Sequence, residues 1–313
     1  MTKIMDGKAL AAKLSAELKE KVAALKDGGK EIGLAVVLIG DDQASKVYVR
    51  NKIKGCEEVG IRSYSFNLQH DAENLVKELV ASDNIHGILV QLPLPSHLDE
   101  QAILKLIPPA KDVDGFCAQN VGNLAMNRET IVACTPFGVM KLLEEYGVDP
   151  RGKNAVVLGR SNIVGKPMAM LLLNADATVT VCHSKTKNLK EVCAGADILV
   201  VAIGRAKFVT ADMVKEGAVV VDVGMDRDEN GKLCGDVDFE SVEMKALYKI
   251  LDICEKYGIR VDLSWYGAYA TFDSYDGKYD GTWLGYNNDG SLGWVTAPRK
   301  TDDFDGYAEY AEN

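Results

Sequence analysis

Tyr48 and Lys52 are the residues in this chain whose type and spacing could do chemistry. They lie four apart in Ser45-Lys46-Val47-Tyr48-Val49-Arg50-Asn51-Lys52, so in a helix they share one face. Val49, Ile53 and Cys56 form the neighbouring apolar stripe, which places Lys52 beside a buried seam with Tyr48 one turn before it. A lysine so placed loses solvation of its charged form, and its pKa is expected to fall toward the range where it exchanges protons near neutrality. The plain alternative is a solvated surface lysine. The choice depends on what the rest of the chain brings near it.

Two further stretches carry polar groups in unusual places. Gln91 interrupts the apolar run Gly87-Ile88-Leu89-Val90-Gln91-Leu92-Pro93-Leu94-Pro95. An amide there needs partners, or it costs about 1–3 kcal/mol. The prolines after it end the strand, which puts Gln91 at the carboxyl edge where open α/β sheets bind ligands. Lys111-Asp112-Val113-Asp114-Gly115-Phe116 is a turn with two carboxylates, and by itself it reads as a capping turn.

Several elements must position these groups. A helix is expected over 6–26, with Leu10, Leu14, Leu18, Val22 and Leu25 on one face. Residues 34–40 form a doubly buried strand. The Tyr48 helix follows, with Ser45 as N-cap and Gly60 as stop, and Gly55 weakening its end. Strands at 63–68 and 87–95 flank a helix near 71–82. The β-α-β-α-β order implies a parallel sheet covered by helices.

A helix over 136–146 precedes a second such series. Its strands are expected at 154–159, 178–184, 197–204 and 218–225. Between the first two, Gly159-Arg160-Ser161-Asn162-Ile163-Val164-Gly165-Lys166-Pro167 is a glycine-flanked loop opening a helix at 168–173. Strand, glycine loop, helix, strand is the setting of a dinucleotide phosphate site, although Ser161 stands where the usual pattern has its middle glycine. The second strand ends in His183-Ser184-Lys185-Thr186, with no acid for a ribose 2′-hydroxyl. Lys185 and Arg160 could instead neutralise a 2′-phosphate, which favours NADP over NAD.

The order and wording of these motifs closely resemble the bifunctional methylenetetrahydrofolate dehydrogenase/methenyltetrahydrofolate cyclohydrolase family. The residues that carry the resemblance are Ser45, Tyr48 and Lys52, the stretch 87–95, Lys111-Asp-Val-Asp-Gly-Phe116 with Asn120-Val-Gly-Asn-Leu124, Cys134-Thr-Pro136, the stretch 159–167, Cys182-His-Ser-Lys-Thr186, and Gly235-Asp-Val-Asp-Phe239. It covers about residues 3–246.

The resemblance implies two α/β domains with a cleft between them, the second Rossmann-like and NADP-binding. It implies oxidation of 5,10-methylenetetrahydrofolate to the methenyl compound, then hydrolysis to 10-formyltetrahydrofolate. Under it Lys52 is the general acid/base and Tyr48 packs on the folate. Gln91 bonds Lys52 and helps keep it neutral, and Asp114 holds the pterin ring. The NADP site takes Gly159, Arg160, Ser161, Ile163, Gly165, His183 and Ser184, with Arg160 and Ser184 at the 2′-phosphate. A homodimer is implied by the family alone. The domains are expected at 1–135 and 136–246.

The chain departs from the family in three places. The segment between Leu68 and Gly87 is a few residues short. Ala133 replaces a proline. After Ala246 the family's Pro-Gly-Gly-Val-Gly-Pro loop and its returning helix are absent. Residues 247–313 carry fourteen of the 22 aromatic residues, all three tryptophans included, and −6 of the net charge of −10. This reads as an atypical acidic, aromatic tail, partly disordered from about 273. An NADP-binding protein with impaired folate catalysis is therefore the competing reading. A short-chain dehydrogenase, which also uses Tyr-x-x-x-Lys, is opposed by chain order, because there the pair follows the glycine loop.

Bulk properties bound the rest. The acidic balance disfavours a nucleic-acid surface, and no apolar run reaches the ~20 residues of a membrane span. The start Met1-Thr2-Lys3-Ile4-Met5-Asp6 has no hydrophobic signal region. Seven cysteines without a C-x-x-C pair read as buried free thiols in a reducing cytoplasm, with no metal site.

Overall fold

A computed structural model describes residues 4–69 and 72–242, together with the backbone of four short strands farther on. The first series builds a three-stranded parallel sheet in the order β2-β1-β3 from β1 (Gly33–Ile39), β2 (Arg62–Leu68) and β3 (Gly87–Val90). β1 is the buried central strand and reads Gly-Leu-Ala-Val-Val-Leu-Ile, as the continuous apolar run requires. One face packs Ala35, Val37 and Ile39 against Val76 and Leu79 of α3 (Ala72–Ala81). The other packs Val36 and Leu38 against Val49 of α2 (Gln43–Val59). The alternation along β1 therefore decides which side chains support the helix that carries Tyr48 and Lys52.

α2 runs unbroken through Gly55 and ends at Gly60 in the left-handed conformation (φ 86°), as the glycine stop required. Its cap is not Ser45. Asp42 is the N-cap, and its carboxylate accepts the Ser45 amide at 2.7 Å, while Ser45 lies buried in the first turn. Asp and Ser are comparable caps, so composition alone did not separate two candidates three residues apart.

α1 (Gly7–Asp27) forms where its periodicity places it, but only Leu10 and Val22 of the expected stripe are buried. Leu14, Leu18 and Leu25 stay exposed, since the contacts of α1 with α2 and α6 do not cover them. Asp6 donates its amide to Tyr146 Oη at 2.6 Å and Lys13 pairs with Glu145, so α1 also ties the first sheet's helices to α6 (Cys134–Glu145).

α6 sends Val139 and Leu143 into the core beneath the second sheet. That sheet is four-stranded and parallel, in the order β5-β4-β6-β7, from β4 (Asn154–Leu158), β5 (Thr178–Cys182), β6 (Ile198–Val201) and β7 (Val219–Asp222). α7 (Gly165–Asn174) crosses from β4 to β5 and buries Met168, Ala169 and Leu172 on one face of the sheet. α8 (Leu189–Ala194) contributes Cys193 to the other. The expected strands exist, but each ends one to three residues early, where the chain turns into the loops that line the sheet's carboxyl edge. Two short helices, α4 (Glu100–Leu104) and α5 (Ala118–Ala125), carried too little periodicity to be expected. A hairpin of β8 (Asp226–Arg227) and β9 (Leu233–Cys234) follows β7.

The thiols are less uniformly buried than their apolar neighbours suggested. Cys56, Cys182 and Cys193 are buried, Cys117 and Cys234 are half-buried, and Cys134 is exposed at the start of α6. Beyond Val242 the chain forms a separate unit. There, strands at Val261–Asp262 and Thr271–Phe272, and at Thr282–Tyr286 and Leu292–Thr296, pair as antiparallel hairpins. The expected disorder from about residue 273 otherwise lies outside the described residues.

Candidate active site

The first sheet's carboxyl edge brings Tyr48, Lys52, Gln91 and Asp114 together. β3 ends at Val90, and the Gln91 amide donates to Val37 O, which leaves the Gln91 side chain just past the strand. Gln91 Nε2 donates to Leu92 O at 2.7 Å, so its amide orientation is set. Gln91 Oε1 then accepts from Lys52 Nζ at 3.0 Å. The polar residue in the apolar strand is therefore a satisfied partner of the lysine, and it holds the amine without bringing a charge to it.

The two carboxylates of the 111–116 turn have different tasks. Asp112 is buried and accepts the amides of Gly115 and Cys117 at 3.1 and 2.8 Å, and Asn120 Nδ2 at 3.0 Å. The capping reading holds for Asp112 alone. Asp114 takes no hydrogen bond from the described residues. Burial pushes its carboxyl up to about 6; nearby Lys52 opposes the rise and Asp112 adds to it. A half-buried carboxylate beside a lysine, with both oxygens free, is poised to take a ligand's donor groups.

Two residues here were not expected from their types. Cys134 stands close enough to Asp114 and Lys52 to feel both charges. Met225 accepts a hydrogen bond from Tyr48 Oη at 3.5 Å, although the two are 177 residues apart. No local pattern could have found that contact.

The second sheet's carboxyl edge carries the glycine loop. Gly159 has φ 128°, and a Cβ there would stand 2.2 Å from Ala202 O. A Cβ on Gly165 would stand 2.3 Å from Gly159 O. Only glycine fits either position. Ser161, which breaks the usual glycine pattern, has a purpose of its own: its Oγ accepts the amides of Val164 and Gly165 at 3.1 and 3.2 Å, just ahead of the first turn of α7. The amides of Asn162 and Ile163 keep no hydrogen bond among the described residues, and Ile163 is exposed beside them.

Leu158 pairs with Cys182 in the β4–β5 register, so Arg160 and Ser184 continue from adjacent strand ends. Both are exposed, as is Lys185, and neither Arg160 nor Lys185 is ion-paired among the described residues. The His183 amide donates to Thr186 Oγ1, and its Nδ1 accepts the Lys185 amide at 3.1 Å. A cradle that a Cβ would fill, unpaired amides and an unpaired arginine beside a free hydroxyl fit a dinucleotide bearing a 2′-phosphate.

Comparison with known proteins agrees with this geometry. The family model "Tetrahydrofolate dehydrogenase/cyclohydrolase, catalytic domain" matches residues 5–114. The model "Tetrahydrofolate dehydrogenase/cyclohydrolase, NAD(P)-binding domain" matches residues 133–250. The chain is 57% identical over 251 residues to the bifunctional protein FolD of Campylobacter curvus, covering 79% of this chain and 87% of that protein. It is 58% identical over 248 residues to FolD of Streptococcus pneumoniae serotype 4, covering 77% and 87%. The crystal structure of the bifunctional FolD dehydrogenase/cyclohydrolase from Campylobacter jejuni superposes with a TM-score of 0.76 at 52% identity, covering 78% of this chain and 88% of that one. FolD of Trypanosoma brucei, complexed with NADP cofactor and inhibitor, gives 0.73 at 40%, covering 77% and 87%. The chain therefore belongs to the tetrahydrofolate dehydrogenase/cyclohydrolase family.

Proposed function

We propose that this chain oxidises 5,10-methylenetetrahydrofolate to 5,10-methenyltetrahydrofolate with NADP and hydrolyses that product to 10-formyltetrahydrofolate, with Lys52 carrying the proton. The observation that supports it best is the Lys52–Gln91 bond at 3.0 Å, with the unpaired Asp114 carboxylate alongside. When bound, NADP would supply the nicotinamide that takes up the hydride lost from the folate's methylene carbon. Gly159, Ser161, Ile163 and Gly165 would form its cradle, and Arg160, His183 and Ser184 would hold its 2′-phosphate end.

Asp114 accepts the donor groups of the pterin ring and fixes the folate against Tyr48. In the hydrolytic step water adds to the methenyl carbon. Lys52 removes a proton from it and delivers one to N5 as the carbon–N5 bond breaks. One proton of the water ends on N5 and the other leaves to solvent. Gln91 aims the lysine amine and holds it in place through both transfers.

The test is to supply methylenetetrahydrofolate and NADP and follow NADPH and 10-formyltetrahydrofolate. Lys52→Met is expected to lower cyclohydrolase activity by at least ~100-fold, the scale of a lost general acid/base, while NADP still binds. Full hydrolysis by that variant overturns the role assigned to Lys52.

A second reading rests on the C-terminus. The family match stops at residue 250, and the FolD relatives extend beyond what this chain covers. The protein would then bind NADP without turning over folate, and NADP affinity with no NADPH formation in the same assay selects that reading. We further propose a folate-binding part up to about residue 135, an NADP-binding part to about 246, a homodimer in the cytoplasm, and no nucleic-acid or membrane partner. A dimer-sized species in sedimentation supports the assembly.

A further inference from the structure

The motif Gly235-Asp-Val-Asp-Phe239 is not used by the chemistry above, yet it builds the most densely hydrogen-bonded corner of the second sheet. Asp236 is completely buried, and its carboxylate accepts three successive amides, of Ile203, Gly204 and Arg205, at 2.7, 3.2 and 2.6 Å. Asp222, at the end of β7, accepts the amides of Gly224, Asp236 and Val237 at 2.9, 3.1 and 2.9 Å. Asp222 thus holds the segment that carries Asp236, and Asp236 holds the turn that follows β6. Each needs a glycine opposite: a Cβ on Gly224 would lie 2.3 Å from Asp236 Cγ, and one on Gly235 would lie 1.9 Å from Asp222 Oδ2.

Asp226 closes the corner from the third side. Burial, then the Asp236 and Asp222 carboxylates, push its carboxyl up, and one of its oxygens is buried without a partner. Met225 lies between Gly224, held by Asp222, and Asp226, the first residue of the β8–β9 hairpin. Its backbone is therefore anchored on both sides while the residue is 56% exposed, and among the described residues the one hydrogen bond its side chain makes is with Tyr48 Oη.

We propose that Met225, presented by the Asp222/Asp236 clasp, is a positioning residue of the folate cleft: its thioether holds the Tyr48 ring in the orientation that receives the folate. This rests on the folate reading of the Tyr48–Lys52 site. Tyr48 is 41% exposed and its hydroxyl has no other hydrogen bond among the described residues, so little else fixes the tilt of its ring. A thioether is a weak acceptor but a soft, adaptable surface for an aromatic partner, which suits a contact that must persist as ligand arrives.

The experiment measures tetrahydrofolate affinity by titration, and the KM of methylenetetrahydrofolate and of NADP, in the full chain. Met225→Leu keeps the apolar bulk and removes the acceptor. It is expected to weaken tetrahydrofolate binding and raise the folate KM about two- to fivefold, the scale of one modest hydrogen bond, with the NADP KM unchanged. Met225→Gln restores an acceptor and is expected to recover wild-type folate affinity. In a Tyr48→Phe background, Met225→Leu is expected to add nothing.

Unchanged folate affinity in Met225→Leu, or an equal loss in the Tyr48→Phe background, overturns the positioning role while leaving the folate reading intact. A wild-type chain that does not bind tetrahydrofolate overturns both, and so separates the two failures. Asp236→Asn probes the clasp. It is expected to weaken folate binding at least as much as Met225→Leu, and in that variant the second change should have no further effect. If Asp236→Asn does not fold, the Met225–Tyr48 cycle still decides.

Discussion

At the scale of single residues, Asp114 and Asp112 show how two carboxylates in one turn acquire opposite roles. Asp112 spends its oxygens on the backbone, whereas Asp114 is left free and half-buried, with its carboxyl at about 6. Its folded value lies above the ordinary 3.8, so the folded state binds the proton more tightly than the unfolded chain. The stability tied to this group is therefore full below about 4 and lost as pH rises through about 6, at most about 3 kcal/mol from a shift of roughly two units. Asp114→Asn is expected to stabilise the protein at neutral pH, seen as a higher urea midpoint at about pH 8 than in wild type and little difference at about pH 4. The same change is expected to weaken folate binding. In the wild type the folate KM should rise as pH falls through about 6, where the carboxylate that receives the pterin is protonated; a flat KM profile there would exclude the role given to Asp114.

At the scale of elements, the site depends on how helices begin. α2 must start in register for Lys52 to meet Gln91, and Asp42 sets that start through the Ser45 amide. Asp42→Ala is expected to lower stability by about 1 kcal/mol, the usual worth of an N-cap, measured by chemical denaturation. α7 begins against the glycine cradle, where Gly165 packs directly on the Gly159 carbonyl. Gly165→Ala is expected to weaken NADP affinity by at least tenfold, since the clash is with rigid backbone that must move before the cofactor can lie on the loop. A titration showing unaltered NADP affinity would mean the dinucleotide does not use this turn. Ser161 belongs to the same device: the position that looks like a flaw in the glycine pattern is the one whose hydroxyl accepts the amides of Val164 and Gly165 at the start of the helix.

At the scale of the whole molecule, α1 and Tyr48 connect the two sheets through Asp6–Tyr146, Lys13–Glu145 and Tyr48–Met225. The ion pair is exposed, so it contributes little to that connection. Replacing residues 247–313 with a family-typical C-terminal segment is expected to raise folate turnover while leaving NADP affinity within about twofold, because that segment follows the last strand of the dinucleotide sheet. Equal turnover in both chains would show that the native end does not limit catalysis.

The amino-acid order by itself determined the two parallel sheets, the glycine cradle, the preference for a 2′-phosphate and the Tyr48–Lys52 face. Each depends on local spacing: period two or 3.6, a glycine where a Cβ cannot fit, a missing acid at a strand end. What only the tertiary structure decided are pairings between distant segments. It left Leu14, Leu18 and Leu25 exposed, placed Lys52 near the Asp114 carboxyl, and brought Met225 Sδ within reach of Tyr48 Oη. The physical reason is the same each time. Whether a carboxylate is free, a leucine covered or a thioether within reach depends on which backbone amides and side chains arrive from tens to hundreds of residues away, and no local pattern encodes that.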